Sequence, residues 1–402
     1  MTTSPVLRPA PARSRLRPIG SVAGALALLA GILLIWPPTS SMSDLRVYFA
    51  AARGFVDGQN IYEVHHQYPG MLLGFTYPPF AAILLAPLAV GQEFAKLLLT
   101  LVSGISLLAI GSMIARALRP QWSKDRLMLA GLVCAAAGLL LEPVSATFGM
   151  GQVNLLLMAL LMADLLGHTP RRFRGVLVGV ATGIKLTPGI FIVFLLVTRR
   201  FREAAIASAT TAATILLGYL VMPGPTVAFW TRYIFDPSRP GPAQYISNQS
   251  LRGAITRITR NSDLTGLLWL LAAAVTAVAG LAVAKRLHGL GRPLDALVVT
   301  GFAGLLVSPI SWSNHWVWAL PATAVVWSWA TSAYRLGSGG RVFAAAWTVV
   351  FALGLPWMAP WADDKEYHHT FLQALVGNSY TLAGIALLAV AWFTTAKPPV
   401  VR

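Results

Sequence analysis

Charge is what this chain has little of. Charged residues make up 11% of the 402, where soluble globular proteins carry about 25%. Acidic residues are the scarcer kind, 14 against 31 Lys and Arg. There is one cysteine, Cys134, inside an apolar run. It has no intramolecular disulfide partner, reads as a small core residue and is silent on redox compartment. No zinc-type Cys/His spacing, no P-loop and no carboxylate pair at glycosidase-like spacing occurs. Nor is there an Asp-x-Asp, which argues against an enzyme that grips a nucleotide-sugar through a metal. The lack of an internal repeat argues mildly against a secondary transporter.

What is abundant is apolar sequence, 56% of residues, in long continuous runs. Only helices and closed barrels satisfy their backbone in a bilayer, and runs without alternation indicate helices. The expected fold is an all-α polytopic membrane protein, one domain over 1–402. About 12 transmembrane helices are expected, near 19–36, 94–115, 127–142, 153–167, 175–187, 189–198, 203–222, 264–284, 294–309, 315–332, 342–357 and 371–394. The segments 175–187 and 189–198 are too short for two crossings of a ~30 Å core. They predict broken helices meeting at Thr187-Pro188-Gly189, or a re-entrant segment beside a polar cavity.

The net charge of +17 does not indicate nucleic-acid binding, because no basic groove with interleaved aromatics is present. The basic residues instead cluster between apolar runs. On the N-terminal side lie 21 Lys and Arg with only Asp125, Asp164, Glu203 and Asp295, an excess of 17. The other side has 10 of each sign. The positive-inside rule makes the first side, with both termini, cytoplasmic and the protein a multi-pass plasma-membrane protein. The run from Ile19 to Trp36 follows Arg8, Arg13, Arg15 and Arg17 and precedes Pro37-Pro38 rather than a small-residue cleavage site, so a retained helix is expected. The outer side then holds a first loop at 37–93 and a second at 223–263. Within the first, 71–90 predicts a helix lying in the outer interface.

The unusual polar residues gather at this outer side. They are Asp44, Arg46 and Tyr48; Gly58-Gln59-Asn60-Ile61-Tyr62; His65 and His66; Tyr77; Glu142; Gln152 and Asn154; Lys185; Asn248, Gln249, Arg252 and Arg257; and Trp312 and His315. A sugar-transfer site needs a carboxylate to take the acceptor's proton, cations or amides for a leaving phosphate, and an apolar cleft for a lipid carrier. Asp44 suits the first task. Lys185, Arg252, Arg257 and His315 suit the second. Tyr62, Tyr77 and Trp312 suit stacking on sugar faces, with His66, Glu142, Gln152, Asn154, Asn248 and Gln249 as further substrate-binding candidates. Plainer readings compete. Asp44 precedes an apolar stretch and fits a helix N-cap equally well. His65-His66 fits an exposed loop pair, and Glu142 fits interfacial solvation. Arg232 and Arg239 read as solvated loop charges, and Asp363, Asp364 and Glu366 as a solvated acidic turn. Lys185 lies inside an apolar run, where an ionisable group usually faces a cavity. No metal site and no cofactor is expected.

The ordered set Asp44, Gly58-Gln59-Asn60-Ile61-Tyr62, Phe75-Thr76-Tyr77-Pro78-Pro79, Lys185-Leu186-Thr187-Pro188, Asn248-Gln249-Ser250-Leu251 and Ser308-Pro309-Ile310-Ser311-Trp312 resembles the actinobacterial membrane mannosyltransferases of glycosyltransferase family 87. The resemblance implies a GT-C fold, a polyprenyl-phosphate mannose donor, and a phosphatidylinositol mannoside acceptor at the outer leaflet of the lipid bilayer. It implies that Asp44 matches the catalytic aspartate of the first outer loop. Two histidines are expected after Ser-Trp-x in this family; here Ser313-Asn314-His315 keeps only His315. The alternatives are the same chemistry on lipomannan or lipoarabinomannan, transfer of arabinofuranose, or, from another class, a lipid flippase or transporter.

Overall fold

The computed structural model describes residues 16–39, 41–68, 71–236, 239–331 and 337–396. Arg8, Arg13, Arg15, Arg335, Lys397 and Arg402, counted above in the cytoplasmic excess, lie outside them. The described chain is almost wholly helical. Its α-helices are α1 (Leu16–Thr39), α2 (Ser43–Val56), α3 (Pro79–Leu85), α4 (Gln92–Leu118), α5 (Lys124–Gly138), α6 (Glu142–Met150), α7 (Asn154–Leu165), α8 (Val176–Ile184) and α9 (Ile190–Val197). Then come α10 (Phe201–Val221), α11 (Pro223–Thr231), α12 (Leu251–Thr259), α13 (Thr265–Gly289), α14 (Pro293–Val307), α15 (Ala319–Thr331), α16 (Gly337–Ala352), α17 (Phe371–Gly377) and α18 (Ser379–Ala396). Eleven of the twelve expected spans each overlap one principal helix, and the twelfth, 371–394, is divided between α17 and α18. By length and composition three helices, α4, α10 and α13, are long and apolar enough to cross a membrane alone. The count rises to five when the bent pairs α5–α6 (75°) and α17–α18 (70°) are taken as single spans.

The break expected near 187–189 is present. Pro188 has no N–H to give the carbonyl of Ile184, so α8 ends there. Lys185 follows in extended backbone, Thr187–Gly189 makes a short 3-10 turn, and α9 begins at Ile190. The first outer loop departs from expectation at 71–90, which is not one helix. A two-stranded antiparallel hairpin, β1 (His65–Tyr68) and β2 (Met71–Gly74), comes first, with His66 opposite Leu73. Helix α3 starts only at Pro79, because proline suits the first helical turn and holds the residue before it extended. Upstream, α2 buries Leu45, Tyr48, Ala51 and Ala52, a helical stripe.

The helices pack closely where glycines allow it. A Cβ at Gly111 of α4 would run into the carbonyl of Gly131 on α5, and one at Gly131 would lie 2.8 Å from Ser112 Cα. At the end of the bundle away from the site described below, two basic clusters meet: Arg202 Nη1 donates to the carbonyl of Arg171 (2.8 Å).

Gly111→Leu is expected to lower stability by about 1–3 kcal/mol through forced separation of α4 and α5. Gly266→Ala, on a part of α13 open to its surroundings, is expected to be neutral or slightly stabilising. Thermal unfolding in detergent checks both; equal melting temperatures for the two variants would refute the close-packing argument.

Candidate active site

The site begins with α2. Its N-cap is Met42, in the left-handed region (φ 45°), so Asp44 is the second residue of the first turn and is not the cap. Its carboxylate bonds to other segments instead. Oδ2 accepts from Gln152 Nε2 (2.5 Å) and, more weakly, from Asn314 Nδ2 (3.5 Å). Both amides reach the same oxygen. Gln152 is fixed in turn, since its Oε1 accepts from the Tyr48 hydroxyl (2.6 Å) and the Tyr77 hydroxyl (3.2 Å). Those two phenols lie 2.8 Å apart and their rings meet edge to face. Gln152 and Tyr48 are buried at 4% and 1% exposure, so the amide has no solvent to turn toward.

Asp44 opens onto a cavity of about 270 Å³, whose walls also carry Tyr62, Tyr77, Lys185, Trp312 and His315. Protein atoms crowd the Asp44 carboxyl, and this burial raises its pKa above 3.8. The Gln152 amide, the Lys185 ammonium, Asn314 and Ser43 oppose the rise. Lys185 Nζ donates to Asn154 Oδ1 (3.2 Å) and lies 3.1 Å from His315 Nε2. An ammonium has only hydrogens to offer, so that imidazole nitrogen acts as the acceptor and the ring is neutral in this arrangement. The ammonium also sits 5.3 Å from the centre of the Tyr77 ring. Behind it, Asn154 Nδ2 donates to the Asn314 carbonyl (2.8 Å), as does Thr147 (2.9 Å). A smaller apolar cavity of about 50 Å³ adjoins Lys185 and His315 from the side of α7, α9 and α14.

Of the sequence candidates, the structure brings together Asp44, Tyr62, Tyr77, Gln152, Lys185, Trp312 and His315, with Asn154 directly behind Lys185. The others lie off this cavity. Glu142 accepts from Ser313 Oγ (2.9 Å), Trp357 Nε1 (2.9 Å) and the Tyr380 hydroxyl (2.7 Å), which ties α6 to the 311–315 turn and α18. Asn248 accepts from the backbone of Ser311 (3.0 Å) and donates to the carbonyl of Ala243 (2.9 Å). Gln249 donates to the carbonyls of Ile246 and Gly377 (both 2.7 Å). Arg257 is wrapped by Asn378 Oδ1 (2.6 Å) and by the carbonyls of Gln244, Tyr245 and Asn248. Burial pulls its pKa down to about 10, and Glu366 opposes the fall. Arg252 lies over the Trp269 ring, 5.7 Å from its centre. His66 sits on the hairpin beside Leu73. None of these side chains lines the cavity.

Two readings of surface charge are corrected. Glu366 is buried at 3% exposure and accepts the Ile246 amide (3.2 Å), so it belongs to no solvated turn. Arg239 is a cavity residue, not a solvated loop charge. Of the two aromatic rings beside it, Tyr233 is six residues away in the chain and Tyr62 comes from a distant segment. Among the described residues no group of three or more His, Cys, Asp or Glu is arranged to hold a metal ion.

Glu142→Ala is expected to cost about 3 kcal/mol or more by leaving three donors without their acceptor, visible as a drop in melting temperature. A melting temperature equal to that of the parent would contradict the bracing role. For activity, the raised Asp44 pKa sets a sign. Were Asp44 to serve as a base it would have to be ionised, so kcat/KM would fall as pH drops through that pKa, with the acid limb above 3.8. A flat profile down to pH 3.8 would remove Asp44 as the titrating group.

The sequence profile of Glycosyltransferase family 87 matches residues 75–309. A polyprenol-phosphate-mannose-dependent alpha-(1-2)-phosphatidylinositol mannoside mannosyltransferase of Mycobacterium tuberculosis is 31% identical over 393 residues, covering 92% of this chain and 90% of that protein. A polyprenol-phosphate-mannose-dependent alpha-(1-2)-phosphatidylinositol pentamannoside mannosyltransferase of Mycolicibacterium smegmatis is 34% identical over 393 residues, covering 96% of this chain and 94% of that one. The crystal structure of ArnT from Cupriavidus metallidurans bound to undecaprenyl phosphate aligns weakly, with a TM-score of 0.42 and 18% identity over 95% of this chain and 78% of that chain. By the extent of the profile match and the full-length identity to these mycobacterial enzymes, the chain belongs to glycosyltransferase family 87.

Proposed function

We propose that this chain is an inverting α-1,2-mannosyltransferase. It moves mannose from polyprenyl-phosphate mannose to a phosphatidylinositol mannoside at the outer face of the membrane, with Asp44 as general base. The activities of the mycobacterial relatives, aligned over nine-tenths or more of this chain, support the donor and acceptor classes. The observation that carries the mechanism is one cavity containing a half-buried, amide-held carboxylate beside a Lys–His pair. The twelve helical segments are read as crossings of a GT-C architecture. The asymmetry of basic residues supports a cytoplasmic N-terminus and an outward-facing cavity.

The reaction is a single displacement. The donor sugar is β-linked to its lipid phosphate and the product is α-linked, so the configuration at C1 inverts once. Asp44 takes the proton of the acceptor mannose 2-hydroxyl. The freed oxygen attacks C1 of the donor mannose. The bond from C1 to the phosphate oxygen breaks and its electron pair leaves with the polyprenyl phosphate. Lys185 bears the charge that develops there. It keeps donor capacity for this task, since an ammonium has three hydrogens and two are engaged. Gln152 and Asn314 hold the base in place and leave the other carboxylate oxygen without an amide donor.

Asp44→Asn keeps shape and loses the base. Its mannose transfer is expected to fall about 100-fold or more, with melting temperature and donor binding retained. Transfer at a tenth of the parental rate or better would take the role of base away from Asp44.

A further inference from the structure

Arg239 is the cation of this cavity that the displacement leaves unused. Its guanidinium lies 4.2 Å from the centre of the Tyr233 ring and 5.7 Å from that of Tyr62. Stacking of this kind fixes the plane of a guanidinium without occupying its edge. Of its five N–H groups, one is spoken for: Nη2 donates to the carbonyl of Phe75 (3.2 Å). Nε is buried and has no partner. No ion pair among the described residues holds Arg239. Gly74 lies beside it, where a Cβ would be 3.2 Å from the His65 ring and 3.9 Å from Arg239 Nη2. A half-buried guanidinium set against two rings, with no ion pair among the described residues and a buried Nε left without a partner, suits an oxyanion.

We propose that Arg239 is a second phosphodiester-binding residue of this cavity, separate from Lys185. This rests on the function proposed above only for the source of the ligand. Both lipids of that reaction carry a phosphodiester, between mannose C1 and the polyprenol in the donor, and between inositol and diacylglycerol in the acceptor. The planar fork of arginine matches two oxygens of such a group, whereas a lysine offers a point charge. The two cations stand at separate places on one aromatic wall. Lys185 sits against the Tyr77 ring, while Arg239 sits against Tyr233 and Tyr62, and the Tyr62 hydroxyl donates to the Tyr77 carbonyl (2.8 Å) to join the two halves. One anion therefore does not need to satisfy both.

The test is equilibrium binding to the purified full chain in detergent. The probes are farnesyl-phosphate mannose, phosphatidylinositol and, as the uncharged control, farnesol. Arg239→Gln is expected to weaken one of the two phosphodiesters by about 10-fold or more and to leave farnesol unchanged. Loss confined to farnesyl-phosphate mannose assigns Arg239 to the donor; loss confined to phosphatidylinositol assigns it to the acceptor. Arg239→Lys keeps a charge but not the fork and is expected to fall between the two. Where Arg239→Gln does not fold, Arg239→Lys decides. Affinity within twofold of the parent for both probes, or no binding of either probe to the parent, overturns the proposal. Mannose transfer by the parent is measured alongside. Its absence, with Arg239-dependent binding intact, would sink the proposed reaction and not the phosphate site.

Discussion

A carboxylate held in a place with little water is the constraint around which this structure is arranged. Asp44 is ionisable and crowded by protein, and such a group must be given hydrogen-bond donors or it stays protonated. The donors here are amides, with one cation further off. Gln152 and Asn314 come from two turns that lie more than a hundred residues away from Asp44 in sequence. Each amide needs its own anchor. Tyr48 and Tyr77 hold Gln152, and the Asn314 backbone is held by Thr147 and Asn154. The loop between α1 and α4, the 150–154 turn and the 311–315 turn are thereby one hydrogen-bonded unit.

A second set of polar groups keeps that unit in position. Glu142, Asn248, Gln249 and Arg257 are buried or turned inward, and each joins backbone or side chains from distant segments. In an apolar bundle such networks are specific in a way that packing of leucines is not, because each donor left open is costly. The broken helix at 185–189 belongs to the same design. Ending α8 at Ile184, ahead of Pro188, frees Lys185 from helical backbone and sets its ammonium between Asn154, His315 and the Tyr77 ring.

The sequence disclosed some of this for physical reasons and hid the rest for others. Helices were legible because apolar runs of that length have few alternatives. The break at 187–189 was legible because proline removes a particular hydrogen bond. Asp44, Lys185 and His315 stood out as ionisable residues next to apolar sequence. The hairpin at 65–74 did not stand out, since four-residue strands carry almost no periodicity. Glu142, Asn248, Gln249 and Arg257 show the limit most clearly. A polar residue among apolar neighbours must be satisfied, but sequence does not say whether by a ligand or by the protein itself. Arg239 shows the converse: its neighbours in the chain look like loop, and its meaning depends on two rings, one of them contributed from a distant segment.

The most direct test of the central claim is a structure of the chain with a polyprenyl phosphate and a mannoside acceptor bound together. The account predicts the acceptor 2-hydroxyl within about 2.6–3.2 Å of an Asp44 carboxylate oxygen, Gln152 still on Oδ2, and a phosphate oxygen on Lys185. An acceptor hydroxyl resting on another base, with Asp44 still tied only to its amides, would contradict it.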